Sequence, residues 1–325
     1  MSNPYVGQLG AVGVAKESVL GTFVAPTRFI PTYLPMNIGS PDINLLLSKG
    51  VRSVPDFVYK AQQGAGMLKN GKFKFEVEPE NIGECLMASF GTDTLTGPTN
   101  TSVYTHTFTR LAAAQLPTYS IWVKNGLNYP TFVGCMVNKI DFDIKAGEWV
   151  ITDVDWMGSA YASGGVTESL SYSTLNPFKF DQAVITVAGS GVSLYKDIKL
   201  SIDNKVKVDP VLGGSIYSNV IFSEAMEVTL SATIVVENST EWAKFIAGTA
   251  SSFTIALTSA QNITSSSPST PYSLTFTIPN IYYKAAPLPL ANGLIEITFQ
   301  AQGVYNTGTS NTISVALANS ISTSY

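Results

Sequence analysis

The sequence predicts a mainly β chain: tandem, duplicated β-sandwich or barrel domains, each with one short α-helix. Three observations point there. Several segments alternate apolar and polar residues with a period of two, the pattern of a strand with one buried and one wet face. Convincing helix is confined to two short pieces. Those pieces sit in a strand, helix, loop, strand, strand order that recurs about 155 residues apart.

The strands come first. In KFKFEVE (72–78), Phe73, Phe75 and Val77 face one way, and Lys72, Lys74, Glu76 and Glu78 the other. In KIDFDIK (139–145), Ile140, Phe142 and Ile144 oppose Lys139, Asp141, Asp143 and Lys145. SLTFTI (273–278) sets Leu274, Phe276 and Ile278 against Ser273, Thr275 and Thr277. LIEITFQAQ (294–302) sets Ile295, Ile297 and Phe299 against Glu296, Thr298, Gln300 and Gln302. Sheets of this kind are antiparallel and wet on one side.

The helices are ENIGECLMASFG (80–91) and ENSTEWAKFIAG (237–248). Asn81 and Asn238 are placed to cap the first turns. Glu84 and Glu241 follow three residues later as in a capping box, and Gly91 and Gly248 sit where a left-handed C-cap is wanted. Aligned without a gap, 75–92 and 232–249 share Glu80/Glu237, Asn81/Asn238, Glu84/Glu241, Gly91/Gly248 and Thr92/Thr249. TYSIWVK (118–124) then matches PYSLTFT (271–277), and NKIDFDIK (138–145) matches GLIEITFQ (293–300). The domains are therefore read as 1–160, with an N-terminal arm and a long loop at 43–66, and 177–325. A Gly/Ser/Thr-rich linker joins them at 161–176. Residues 90–104 and 258–271 read as loops.

Composition limits the function. The 325 residues suit two cores of about 150 better than one. Charged residues make up 13%, against about 25% in ordinary globular domains, so the polar surface is largely Ser, Thr, Asn and Gln. That suits a β-rich chain covered by neighbours. With a net charge of −4 and no basic stripe, tight nucleic-acid binding is excluded, while loose contact with DNA is not. No phosphate-binding loop or nucleophile elbow appears. His106 and the two cysteines, Cys85 and Cys135, are too few and too separated for a metal site. Both thiols read as buried and free. The acid pairs Asp141/Asp143 and Asp153/Asp155 lie at i, i+2 on one strand face, which a solvated face already explains. No cofactor and no enzymatic activity are expected. MSNPYVGQLG lacks the pattern of a signal peptide, and no run of about 18 apolar residues suggests membrane insertion.

Five further stretches are KESVLGTFVAPTRFIP (16–31), SKGVRSV (48–54), KAQQGAGMLKNGKFKFEVEPENIGECLMASFG (60–91), FVGCMVNKIDFDIKAGEWVITDVDWMG (132–158) and NPFKFDQAVITV (176–187). In these motifs, their order and their spacing, the chain resembles the two-domain major tail tube proteins of long-tailed, siphovirus-type bacteriophages. The resemblance implies tail-tube-type domains in a structural virion protein, assembled in the host cytoplasm. Such chains form rings stacked into a hollow tube that conducts DNA during ejection. Single-domain relatives form hexameric rings, so the resemblance implies homotrimers with pseudo-sixfold symmetry, a hexamer of whole chains being the other closed ring. The implied partners are the chain itself, the tape measure protein, tail terminator and tip proteins, and DNA passing loosely through the lumen. Lumen-facing candidates are Lys72, Lys74, Glu76, Glu78, Asp141, Asp143, Asp153 and Asp155 in the first half. In the second half they are Thr275, Thr277, Glu296, Thr298 and Gln300. Candidates for contacts between rings or subunits are Leu45, Leu46, Leu47, Arg52, Val54, Phe57 and Val58, with Val211 and Tyr217 in the counterpart stretch 204–222. The alternative is a β-sandwich binding module, as in a phage decoration or a receptor- or carbohydrate-binding protein.

Overall fold

The structure is a computed structural model. It describes residues 10–26, 28–35, 42–48, 58–66, 68–111, 115–124, 129–163, 170–192, 194–212, 219–236, 240–264, 266–285 and 294–325. Along the chain run β1 (Ala11–Lys16), β2 (Arg28–Ile30), β3 (Asp42–Ser48), β4 (Val58–Gly66), β5 (Leu68–Glu76) and α1 (Ile82–Phe90). Then come β6 (Gly91–Thr99), β7 (Val103–Arg110), β8 (Tyr119–Lys124), β9 (Pro130–Lys145) and β10 (Ile151–Ser163). The second half holds β11 (Ala183–Val187), β12 (Ser190–Val192), β13 (Tyr195–Asp203), β14 (Lys207–Pro210), β15 (Asn219–Phe222) and β16 (Glu227–Val235). It ends with α2 (Thr240–Ala247), β17 (Ser251–Asn262), β18 (Pro271–Ala285), β19 (Glu296–Gly303) and β20 (Ser314–Asn319). The mainly β prediction stands.

The pairing is antiparallel and follows one order twice. The first series is β2-β1-β8-β9-β10-β5. The second is β12-β11-β17-β18-β19-β16. In the second, β19 flanks only the C-terminal stretch of β18, and β20 flanks the N-terminal stretch. Together they take the place that the single long β10 holds beside β9. The strands after the helices therefore correspond one step away from the sequence alignment: β8 stands where β17 does, and β9 where β18 does. The alignment slips because the β6–β7 hairpin has no second-half counterpart.

Two strands join the series. β13 lies between β9 and β16, with Leu200 opposite Phe142 on one side and Leu230 on the other. β20 lies between β18 and β7, so a strand late in the chain is hydrogen-bonded to both halves. Side-chain alternation fixes these registers, because a slip of one residue would turn every apolar side chain outward. Phe73, Phe75, Ile140, Phe142, Leu274, Phe276, Ile297 and Phe299 are all buried as the alternation predicts, whereas Ile295 is exposed. Most buried apolar residues of both halves, among those described, form one continuous cluster, from Phe75 through Phe142 and Leu200 to Phe276 and Leu317.

Both helices form, slightly shorter than predicted. Gly91 (φ +86°) and Gly248 (φ +60°) take the expected left-handed conformation, and Gly91 N–H closes α1 on Met87 O. The capping box at Asn81 does not form. Asn81 is itself helical (φ −81°, ψ −32°) and makes no side-chain cap bond. Its amide donates to Glu78 Oε2 instead, and Glu84 faces Arg28 at 3.6 Å. Asn238 lies outside the described residues.

Three segments read as loops are ordered strand in part. Residues 91–99 are β6. Of the interval 258–271, residues 258–262 are the end of β17 and Pro271 begins β18, and Ile263 between them is buried against Val103 and Tyr272. β10 extends to Ser163, beyond the boundary predicted near residue 160. In each case backbone pairing, which composition does not encode, overrides a Gly/Ser/Thr-rich sequence.

Candidate functional site

The strands β5, β10, β9, β13, β16 and β19 are consecutive neighbours, and their outward side chains fall into rows. One row reads Lys74, Asp153, Asp141, Ser201, Thr229, Gln302. The next reads Glu76, Ile151, Asp143, Lys199, Ser231, Gln300. On the other side lie Lys72, Asp155, Lys139, Asp203 and Glu227. A fourth row holds Lys145, Asp197, Thr233 and Thr298. Alternation in five consecutive neighbours of β5 thus builds one continuous polar face crossing the junction between the halves. A shallow trough of about 530 Å³ lies over it, lined by residues such as Lys74, Asp141, Asp153, Lys199, Thr229 and Gln300.

The rows carry five lysines (72, 74, 139, 145, 199) and eight carboxylates (76, 141, 143, 153, 155, 197, 203, 227). Positive charges are interleaved with negative ones. Lys139 pairs with Asp141 at 3.0 Å, and Lys205 with Glu227 at 2.7 Å. Exposed pairs of this kind contribute little stability, but the carboxylates outnumber the lysines beside them, which disfavours a polyanion. Burial lifts the Asp153 carboxyl above its ordinary range, Lys72 and Lys74 pull it back, and Asp141 lifts it again. Burial and the adjacent Asp143 raise Asp197.

Ten of the thirteen lumen candidates lie on these six strands' polar side: Lys72, Lys74, Glu76, Asp141, Asp143, Asp153, Asp155, Glu296, Thr298 and Gln300. Of these, Asp155 is buried and accepts from Asn138 Nδ2 at 2.9 Å. Glu296 sits at the margin, paired with Lys196. Glu78 lies past the end of β5 and is buried beside Asn81. Burial, with Glu76 next to it, raises its carboxyl to about 7. Thr275 and Thr277 are elsewhere: their stretch of β18 lies between β17 and β20. Sequence reading missed Lys199, Ser201, Thr229 and Ser231, although YKDIKLSID and EVTLSATIV carry the same period-two signal.

The contact candidates Leu45, Leu46, Leu47 and Val58 lie on the β3–β4 hairpin, where Leu47 is exposed. Arg52, Val54, Phe57 and Tyr217 are outside the described residues. β14 and β15 form a matching hairpin. Through Val206, Val208 and Ile221 it packs on Leu116, Met136 and Met157 of the same chain, leaving Val211 and Leu212 exposed at its tip.

The motif 16–31 proves to be scaffolding. Glu17, buried, accepts from Gly21 N, Ser120 Oγ and Gly134 N, each at 2.9 Å. Arg28 donates to Glu80 O at 3.0 Å and lies 5.0 Å from the centre of the Tyr325 ring. His106 is fully buried, with Nδ1 2.9 Å from Asp93 Oδ2 and Nε2 3.0 Å from Ile321 O. Both ring nitrogens are thus held within the protein interior. Cys85 and Cys135 are buried and free, and burial pushes both thiols up. Among the described residues, no cluster of His, Cys, Asp or Glu could hold a metal ion, and no helix is long and apolar enough to cross a membrane. A family model described as phage tail tube protein matches residues 7–303. No curated protein matches the chain.

Proposed function

The chain belongs to the phage tail tube protein family, and from that membership we propose that copies of it close into rings, that the rings stack, and that the polar face lines the bore. The reading rests on one observation above all: a six-strand face, continuous across both halves, that is hydrophilic without being basic. Acid-rich walls hold water and repel phosphate, so DNA slides rather than sticks.

The dimensions favour a trimer. Each copy offers β5, β10, β9, β13, β16, β19 and the end of β18. The stretch at Tyr33 adds another place beside β5, since its N–H donates to Lys74 O at 2.7 Å. Eight positions from each of three copies make 24 strands. At about 4.8 Å spacing and about 40° tilt, the circumference is roughly 150 Å and the backbone diameter about 48 Å. Side chains narrow this to something on the order of 35–40 Å, a loose fit for duplex DNA. Six whole chains would double the backbone diameter. In the virion the tube meets a tape measure protein within and terminator and tip proteins at its ends, and its cargo is DNA under ejection. The hairpin tips at Leu47 and Val211 are the surfaces offered to neighbouring rings or subunits.

Negative-stain microscopy of the concentrated, purified chain tests the reading. Hollow rods or stacked rings with a central bore are expected. Monodisperse single particles would replace it with the β-sandwich binding module.

A further inference from the structure

The halves of the chain are joined by β13, and counterparts of the pieces that make this joint recur at two further edges, where no described strand takes the place of β13. The correspondence is anchored by the helix-ending glycines Gly91 and Gly248, which place Lys74 opposite Ser231 and Ser89 opposite Ile246 in the alignment. The outer neighbour of Ser231 is Lys199 of β13. The outer neighbour of Lys74 is Tyr33. The short stretch at 31–35 therefore stands to β5 as β13 stands to β16, and Leu34 takes the place of Leu200. Leu200 is 1% exposed, between β9 and β16, whereas Leu34 is 52% exposed.

The other edge has the matching gap. The C-terminal half of β9 has β10 on one side and β13 on the other. Its counterpart, β18 beyond Ile281, pairs with β19 on one side only among the described strands. The helices differ in the same sense. In α1 only Glu84 escapes burial, and Asn204, just past β13, caps its flank by donating to Ser89 O and Oγ at 3.1 and 3.2 Å. In α2, Ile246 at the Ser89 position is 67% exposed.

We propose that the β18 edge and α2 of one copy receive the Tyr33 stretch and β5 edge of a second copy, in the register by which β9 and α1 receive β13. Each junction in the ring then repeats between chains the joint already built within one. This proposal rests on the self-assembly reading above and names the surfaces that carry it out. The contact is heterologous, head to tail, which is the arrangement that closes rings.

The register is specific enough to test with a disulfide. Within the chain, Lys74, Asp153, Asp141 and Ser201 form one cross-strand row. The corresponding row is Ser231, Gln300 and Ala285, and its next member is Pro35 of the adjoining copy. Pro35→Cys combined with Ala285→Cys is expected to form an intermolecular disulfide under mild oxidation of the assembled protein. The two positions are separated by about 30 Å of sheet within one chain, far beyond disulfide reach. Asp141→Cys with Ser201→Cys is the control and cross-links within the monomer.

Leu34→Asp and Ile246→Asp provide an independent arm. Both side chains are exposed in the single chain, so the monomer's melting curve should be unchanged while the concentration needed for assembly rises at least tenfold. If the unaltered chain assembles, and these variants assemble equally well or the cysteine pair yields no cross-linked species, this junction is wrong and the tube reading stands. If the unaltered chain never assembles, the self-assembly reading falls and the junction with it.

Discussion

Gly83, in the first turn of α1, is set against Tyr325, and replacing it with alanine pits two effects against each other. An alanine inside a helix is ordinarily worth about 1 kcal/mol over glycine. Here the added Cβ would overlap Cζ, Cε1 and Cε2 of the Tyr325 ring, and a helix core cannot yield, so the ring must leave. It is 7% exposed. Its Oη accepts from Asn319 Nδ2 at 2.7 Å and donates to Glu80 O at 3.2 Å, and the His106 ring stands 4.8 Å away, edge to face. Expelling it forfeits about 2–3 kcal/mol of burial and about 1 kcal/mol for each hydrogen bond left unmade. Against the helix gain, Gly83→Ala should be destabilising by roughly 3–4 kcal/mol, a fall of several degrees in melting temperature. Thermal unfolding followed by circular dichroism reads this directly. The cycle with Tyr325→Ala isolates the mechanism: with the ring gone, adding Gly83→Ala should cost nothing or recover about 1 kcal/mol. A Gly83→Ala chain as stable as the parent, or costs that simply add, would refute the reasoning.

Further outcomes follow from other side chains. Glu78 has its carboxyl raised to about 7, so the folded chain binds a proton that the unfolded chain releases near pH 4.5. The associated stability is therefore complete below about pH 4.5 and lost as pH rises through 7. Partial hydration holds this to about 1 kcal/mol. Glu78→Gln should melt higher than the parent at pH 8 and match it at pH 5, and parallel profiles would contradict the assignment. Glu17→Ala leaves Gly134 N–H without its acceptor and should cost about 2–3 kcal/mol, visible as a lower denaturation midpoint; an unchanged midpoint would mean water replaces the carboxylate. Glu76→Lys, Asp141→Lys and Asp153→Lys together turn five lysines against eight carboxylates into eight against five. Virions built with this chain should release DNA more slowly at low salt from tubes of normal length, and equal release rates would remove the sliding-wall argument.

Much of the fold is legible because half-wet strands advertise themselves. Phe73 and Phe75, or Ile140 and Phe142, could be assigned to the interior from spacing alone, and the polar face followed from the residues between them. Glu78 and Thr275 show where that inference fails. Alternation says which residues share a side of one strand. It does not say where a strand ends, and Glu78 falls in the turn leading to α1. Nor does it say which sheet a strand has joined, and β18 changes partners along its length. Asn81 fails as a cap for a different reason: its own helical backbone and the nearby Glu78 draw the amide elsewhere, and Arg28, distant in sequence, takes the expected Glu84. β6 was hidden because main-chain pairing, not side-chain identity, holds a Thr-rich segment in place, whereas β17 does carry the period-two signal in Phe253, Ile255 and Leu257, all buried.

The position of β20 sets a schedule for biosynthesis. β7 leaves the ribosome about two hundred residues before the strand that pairs with it and with β18. Until then, an edge of the first half stays open, and such distant pairing is slow to nucleate. A nascent chain thus cannot complete its own sheet until residues 314–319 have emerged.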